Sequence, residues 1–469
     1  MTISHILFVL LLCALTGSYA WGMRGSIIGG ERGAMLPGAA LALVLLYSGG
    51  SAPVATAFPM AAAIGAAGMF FGGSQTYGET ITLAHNADAK ARRRGLIGLA
   101  VKGAGWFGVF GGILGFGLGA MAGRYSLLET ILFVLLIPVA RQLGVLIFNA
   151  PFKPKKSVFP KVYFSISRRE NWGGMVFVLL YIIVFTACKR EWFAMLLAFS
   201  GMISGAIGFC FGDLLYRFVD AHLSKLWFSG WKAMECTFGA IGSVGIGLCW
   251  CVFYDSLGSR YAYEITAHSG AWSPFSTKLY TLLGFIWLVL LGLFIARYWF
   301  PHPGSKKKDR LSTILYDAED IIIYPIFCLY PLFLAYVGDL FFAQIFAFFG
   351  MFYLLPDKIV FGGKSRYAKM PFATILHIVL IVLSAIILVA QLLLNFSPGV
   401  YPVWLLYALV YLLVLYVVVF DPIRLRALTK EHGSIIKAIL SLESEPTWLM
   451  YAGVCVICLL ILGKPYFSL

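Results

Sequence analysis

Charge is scarce in this chain. Asp, Glu, Lys and Arg make up 12% of the 469 residues, about half the share found in an average soluble domain. Acid is scarcer still, with 21 Asp and Glu against 36 Lys and Arg. A water-soluble fold with so little charge would expose apolar patches far beyond what monomers tolerate. Also missing is a nucleotide-binding loop: the glycine-rich stretch near the N-terminus follows no predicted strand and lacks the Lys-Ser/Thr of a P-loop. The basic excess is not gathered on one face but sits in short clusters between apolar stretches, which excludes nucleic acid as a partner. Nine cysteines are an odd number, and most lie within apolar runs (Cys13, Cys188, Cys210, Cys236, Cys249, Cys328), so no disulfide framework is implied. Cys455 and Cys458 form a CxxC inside the last apolar run and read as one face of a helix. No motif calls for a cofactor, and no spacing of His and acids matches a zinc pattern.

What the chain has is long apolar runs. Hydrophobic residues make 60% of it and aromatic residues 16%, a share that suits helices with Trp and Tyr at membrane interfaces. About 20 apolar residues cross a hydrocarbon core. On that length the predicted spans lie near 3–20, 34–49, 53–72, 95–123, 126–150, 172–188, 192–212 and 234–254. Further spans are predicted near 276–300, 319–337, 339–355, 372–395, 400–420 and 446–463. The fold class is therefore all-α, a polytopic transmembrane bundle of about fourteen spans (12–14). The count depends on whether 319–355, with Pro325 and Pro331, is one kinked helix or two.

The loops test this count. With fourteen spans one side of the alternation receives Lys90 with Arg92–Arg94, Lys153–Lys161 with Arg168 and Arg169, and Arg217 with Lys225 and Lys232. It also receives Lys306–Lys308 with Arg310, Lys358–Lys369 and Arg424–Lys437. The opposite side holds only Arg124, Lys189, Arg190, Arg260, Lys278 and Lys464. Because basic loops are retained in the cytoplasm, this predicts N- and C-termini outside, in what reads as a bacterial cytoplasmic (inner) membrane. Ser18-Tyr19-Ala20 resembles a cleavage site, but no basic region precedes the run. Cleavage there would also invert every later loop, so the first run is read as a helix.

The two halves differ. Of 50 glycines, 37 lie in the first 250 residues, and small residues let helix backbones approach closely in lipid. Residues 1–254 thus read as a tightly packed core, and 255–469 as Leu-, Phe- and Val-rich supporting helices. Within the core a segment recurs. Gly65-Ala66-Ala67-Gly68-Met69-Phe70-Phe71-Gly72 aligns with Gly205-Ala206-Ile207-Gly208-Phe209-Cys210-Phe211-Gly212. Tyr77 followed by Ala84-His85 resembles Tyr216 followed by Ala221-His222, and Phe107-Gly108 through Gly117 matches Phe238-Gly239 through Gly247 with one gap. Chance similarity of glycine-rich helices is the alternative. A real duplication of 53–123 in 192–254 would be a parallel repeat, about an axis along the membrane normal.

Polar residues in such a chain need reasons. Trp21 to Gly38 places Arg24, Glu31 and Arg32 among glycines; the arginines either grip an anion or simply follow the charge rule. Glu79, His85 and Asp88 follow the third span, and Asp213, Asp220 and His222 follow the seventh. They suit ion or proton coupling, or a divalent metal, or are solvated loop groups. Arg141, just beyond Pro138 in the fifth span, and Glu235, three residues past Lys232, are charges within spans, each costing at least about 2.5–3.5 kcal/mol. They either line a polar pathway or lock the bundle. Substrate contacts are thus expected at Arg24, Glu31, Arg32, Arg141 and Glu235. The outward loop 255–275, with His268 and several Tyr, reads as an interfacial aromatic belt.

The reading that absorbs most of this is a secondary transporter of a small polar or anionic, possibly sugar-like, solute. Its partners would be the bilayer and that solute. The alternatives are a membrane-embedded enzyme acting at the cytoplasmic face on a lipid-linked or phosphorylated substrate, and a membrane scaffold subunit. Two histidine regions close together around a shared polar cavity would favour the first two over the third.

Overall fold

A computed structural model describes residues 2–23, 30–48, 58–73, 75, 77–153, 158–168, 170–223, 230–253, 429–431 and 433–434. The spans predicted beyond 254, with the loop of His268, lie outside these residues, as does Arg24. Among the described residues the chain is helical: α1 (Ile3–Met23), α2 (Gly30–Ser48), α3 (Phe58–Gly73), α4 (Gly78–Ala84), α5 (Ala89–Met121), α6 (Leu127–Phe148), α7 (Trp172–Cys188), α8 (Trp192–His222) and α9 (Gly230–Phe253). Five of them, α1, α5, α6, α8 and α9, are long and apolar enough to cross a membrane. They point to an integral membrane protein. Each span predicted before residue 254 falls on a helix, and α4 is an additional short one.

Local chemistry sets several boundaries. Asp88 caps α5, its carboxylate accepting from the Ala91 N–H at 2.8 Å. Ser126 and Glu129 form a reciprocal capping box at the start of α6, satisfying two of the N–H groups that a helix start leaves free. α5 ends where Gly123 takes φ 72°, a left-handed conformation that glycine adopts without a Cβ clash.

α5 lies at the centre, packed against α3, α4, α7 and α8, while α9 packs on α8 and α1. Glycine explains how closely these helices cross. A Cβ on Gly103 of α5 would stand 2.2 Å from the carbonyl oxygen of Gly205 on α8, and one on Gly205 2.2 Å from that of Gly103. The same mutual approach joins Gly17 to Gly239 across α1 and α9, Gly38 to Gly65 across α2 and α3, and Gly144 to Gly173 across α6 and α7. Elsewhere a glycine leaves room for an aromatic ring. Trp106 lies over Gly72, Phe107 over Gly242 and Trp21 over Gly239. Those rings meet in one core: Trp21 stands 4.7 Å from Trp106 and 4.7 Å from Phe238, and Phe209 stacks on Phe238 at 4.4 Å. The glycine count and the aromatic count in the sequence are two sides of one packing solution.

The polar contacts gather at the two ends of the bundle. At one end His5 reaches the Ser48 carbonyl, Arg124 pairs with Glu191 at 3.3 Å, and Lys189 pairs with Glu129. These tie the start of α1 to the end of α2, and the α5–α6 turn to the α7–α8 turn. The other end carries the basic clusters before α5 and between α6 and α7. It also holds the groups described next. α6 is the outlying helix, with Leu128, Leu135, Val139 and Leu146 each at least half exposed, a face suited to lipid.

Candidate functional site at the break between α3 and α4

Helix α3 stops at Gly73 and α4 starts at Gly78, with Gln75 and Tyr77 in the interval. From Tyr77 to His85 successive side chains reach four separate parts of the molecule. The Tyr77 hydroxyl donates to Glu235 Oε1 of α9 at 3.1 Å. Glu79 accepts from the backbone of the α6–α7 loop. Thr80 accepts from Lys102 of α5, and His85 meets Asp213 of α8. A stretch of nine residues therefore registers α5, α8, α9 and a loop against one another.

Two lysine–carboxylate pairs are buried here. Lys102, 1% exposed, donates to Glu170 Oε1 at 2.8 Å and to Thr80 Oγ1 at 2.7 Å. The second oxygen of Glu170 accepts the Phe164 N–H at 2.6 Å. Lys232, 3% exposed, donates to Glu235 Oε2 at 2.7 Å and to the Gly22 carbonyl at 3.1 Å. Taking such charges out of water costs several kcal/mol per ion, and attraction offsets that only where hydrogen bonds satisfy the remaining oxygens. Both carboxylates meet this condition, since each uses both oxygens. Gln75, buried beside them, donates to the Lys102 carbonyl at 3.4 Å, and its Oε1 has no hydrogen-bond partner among the described residues.

Aromatic rings keep the Glu235 pair dry. The Tyr77 ring stacks on Trp231 at 5.6 Å, and Phe209 and Trp106 stand 5.3 and 6.1 Å from it. Together they seal Tyr77 against the Trp21–Phe238 core, and in such a low-dielectric setting the hydroxyl–carboxylate bond is strengthened.

Towards the basic end, His85 Nε2 lies 2.8 Å from Asp213 Oδ1. The Asp213 side chain is fully buried and that of His85 28% exposed, so the imidazole links a buried carboxylate to the surface. Arg217 Nε stands 3.7 Å from the other Asp213 oxygen, and the Tyr216 ring lies edge-on to His85 at 4.8 Å. Glu79 serves a different purpose. One of its oxygens accepts from the N–H groups of Ile166, Ser167 and Arg168 at 2.7, 2.7 and 3.1 Å. Partial burial alone would raise its pKa, but these bonds and one from the Ser167 hydroxyl outweigh it and bring the carboxyl to about 2.

The remaining predicted site residues lie elsewhere. Glu31 and Arg32 stand on the first turn of α2, their side chains outside the described set. Arg141 is buried on α6, with its Cγ and carbonyl against Gly174 of α7, away from α4. Asp88 caps α5. Asp220 accepts from the Gly230 N–H at 3.1 Å and so ties the end of α8 to the start of α9. His222 is exposed, its ring 5.0 Å from Phe218. It follows Asp213 on α8 by about 13 Å of helix rise, so among the described residues the histidine bound to Asp213 is His85. Among the described residues no three His, Cys, Asp or Glu side chains gather as metal ligands.

Sequence reasoning missed Lys102, Glu170, Thr80 and Gln75. Lys102 carried a usable signal, a single charge well inside the predicted span 95–123. Glu170 carried little, being one acid at the end of a basic loop. No family model, characterised protein or solved structure matches the chain.

Proposed function

We propose that the protein is a secondary transporter of a small polar or anionic solute, built on about fourteen spans in a bacterial cytoplasmic membrane with both termini outside. One observation carries this reading: just before α4, Tyr77 joins Glu235 and Lys232 of α9 in a buried, hydrogen-bonded set. Charges buried among transmembrane helices mark substrate and ion pathways in transporters. An anionic solute would compete with Glu235 or Glu170 for an ammonium group, so that binding and release exchange one ion pair for another. Arg24, Arg32 and Arg141 would guide the anion, and Glu31 would contact a polar group of the solute. Among the proposed coupling residues Glu79, His85, Asp88, Asp213, Asp220 and His222, the His85–Asp213 pair is best suited to carry a proton, since it joins a buried carboxylate to a partly exposed imidazole.

The parallel repeat belongs to this proposal. Gly68 of α3 lies on Phe110 of α5, and Gly208 of α8 lies beside Ile241 of α9. In the aligned segments Phe110 and Ile241 hold equivalent places to within one residue, which supports the duplication. Backbones in contact at paired glycines leave surfaces able to slide.

The test is transport itself. Protein reconstituted in liposomes and assayed by solid-supported-membrane currents against carboxylates, phosphates and sugars should respond to at least one class. Glu235→Gln should abolish that response while the protein remains folded. Silence across all three classes, with and without a pH gradient, overturns the proposal. The second reading, an enzyme at the basic end, draws on the same His85–Asp213 pair as an oriented acid–base group. Turnover of a phosphorylated or lipid-linked substrate that fails in His85→Ala would favour it.

A further inference from the structure

Lys102 and Lys232 share an arrangement. Each ammonium group is buried on oxygen ligands from separate elements: a hydroxyl and a carboxylate for Lys102 (Thr80 at 2.7 Å, Glu170 at 2.8 Å), a carboxylate and a backbone carbonyl for Lys232 (Glu235 at 2.7 Å, Gly22 at 3.1 Å). Hydroxyl, carboxylate and main-chain carbonyl oxygens brought together where helices end are ligands for a hard monovalent cation. The two lysines also occupy similar places in the aligned segments, Lys102 five residues before Phe107 and Lys232 six before Phe238.

We infer that these lysines are tethered monovalent cations, occupying oxygen seats that without the side chain would take a free small cation, ammonium or methylammonium first. Neutralising Glu170 and Glu235 is the essential service. The butyl stems deliver the charge through apolar surroundings, as long basic side chains do elsewhere. Lys102 is anchored on the central helix, so its charge cannot be lost to solvent as a free ion could be. The inference concerns the seats alone and stands whether or not the protein transports.

The test is thermal unfolding of the purified full-length protein in detergent, at fixed pH and ionic strength, in ammonium, methylammonium, sodium, potassium or choline chloride. The wild-type melting temperature should be the same in all five. K102A, which opens the seat, should melt several degrees lower in choline and recover most of that loss in ammonium or methylammonium. K102M, which fills the seat without charge, should show the loss and no recovery. Equal melting of K102A in every salt overturns the proposal. If K102A cannot be purified in any salt, K102A/E170Q decides. The carboxylate that needs a cation is then gone, so that protein should fold and ignore the salt. Its failure to fold means that Lys102 serves packing, and the proposal falls.

Discussion

His85 Nε2 lies 2.8 Å from Asp213 Oδ1, and this bond holds the end of α4 to α8. The Asp213 side chain has no exposure, and the Arg217 guanidinium stands 3.7 Å from its other oxygen. A buried carboxylate that loses a hydrogen-bonded partner carries the desolvation penalty unrelieved, about 1–3 kcal/mol or more for a charge. His85→Ala should therefore lower the unfolding free energy clearly, and His222→Ala, at an exposed position, should leave it within about ±0.5 kcal/mol of wild type. Equal effects from the two histidines would contradict the assignment of His85 as the partner of Asp213.

Glu79 makes a pH-dependent contribution. Its carboxyl titrates at about 2, below the ordinary value of 4.5. A depressed acid stabilises the fold at pH values above its unfolded pKa, and that contribution is lost as pH falls through the folded one. The affected window runs from about pH 4.5 down to about 2. Glu79→Gln should flatten the acid limb of a stability–pH profile and leave its neutral limb parallel to wild type. An unchanged acid limb would mean that the loop 166–168 is held by other bonds.

Tyr77→Phe separates the hydroxyl from the ring. The stack on Trp231 is retained and the bond to Glu235 is lost. Bonds to charged acceptors contribute about 1.5–3 kcal/mol, so a loss of that order is expected on chemical denaturation. Under the transport reading the same variant should slow uptake in liposomes more than its stability loss explains. Full activity would remove Tyr77 from the site.

The paired glycines admit a direct check. Gly205→Ala places a methyl 2.2 Å from the Gly103 carbonyl oxygen, a backbone atom that cannot rotate away. The two central helices must move apart, and overpacking of this kind costs about 1–3 kcal/mol, occasionally more. Gly78→Ala is the control, because there the added methyl would meet only the flexible Arg168 guanidinium, at 3.9 Å. Similar melting of the two variants would show that the crossing has slack.

The proposed orientation can be read chemically. Cys188 is exposed at the end of α7, whereas Cys13, Cys249 and Cys251 are buried. With the termini outside, a membrane-impermeant maleimide should label a Cys188-only protein in intact cells. Protection of Cys188 until the membrane is opened would invert the topology.

The sequence by itself determined where helices form. Spans of apolar residues bounded by Lys, Arg and capping side chains predict α1 to α3 and α5 to α9, because burial in lipid and unsatisfied backbone groups are properties of consecutive residues. It also marked Glu235, His85 and Asp213 as unusual, since a charge near an apolar run is visible without a fold. It could not say which charge neutralises which. Lys102 and Glu170 stand 68 residues apart, and Tyr77 and Glu235 stand 158 apart; such partners are chosen by which helices cross. The crossings in turn depend on glycines whose meaning is spatial: Gly103 and Gly205 each matter because the other is there. Only the tertiary structure decided that His85 belongs to Asp213 and that Glu79 and Asp88 hold backbone N–H groups. It likewise decided that the stretch 77–85 meets the buried charges of α5, α8 and α9, because ion pairing requires a separation of a few ångströms that no one-dimensional pattern encodes.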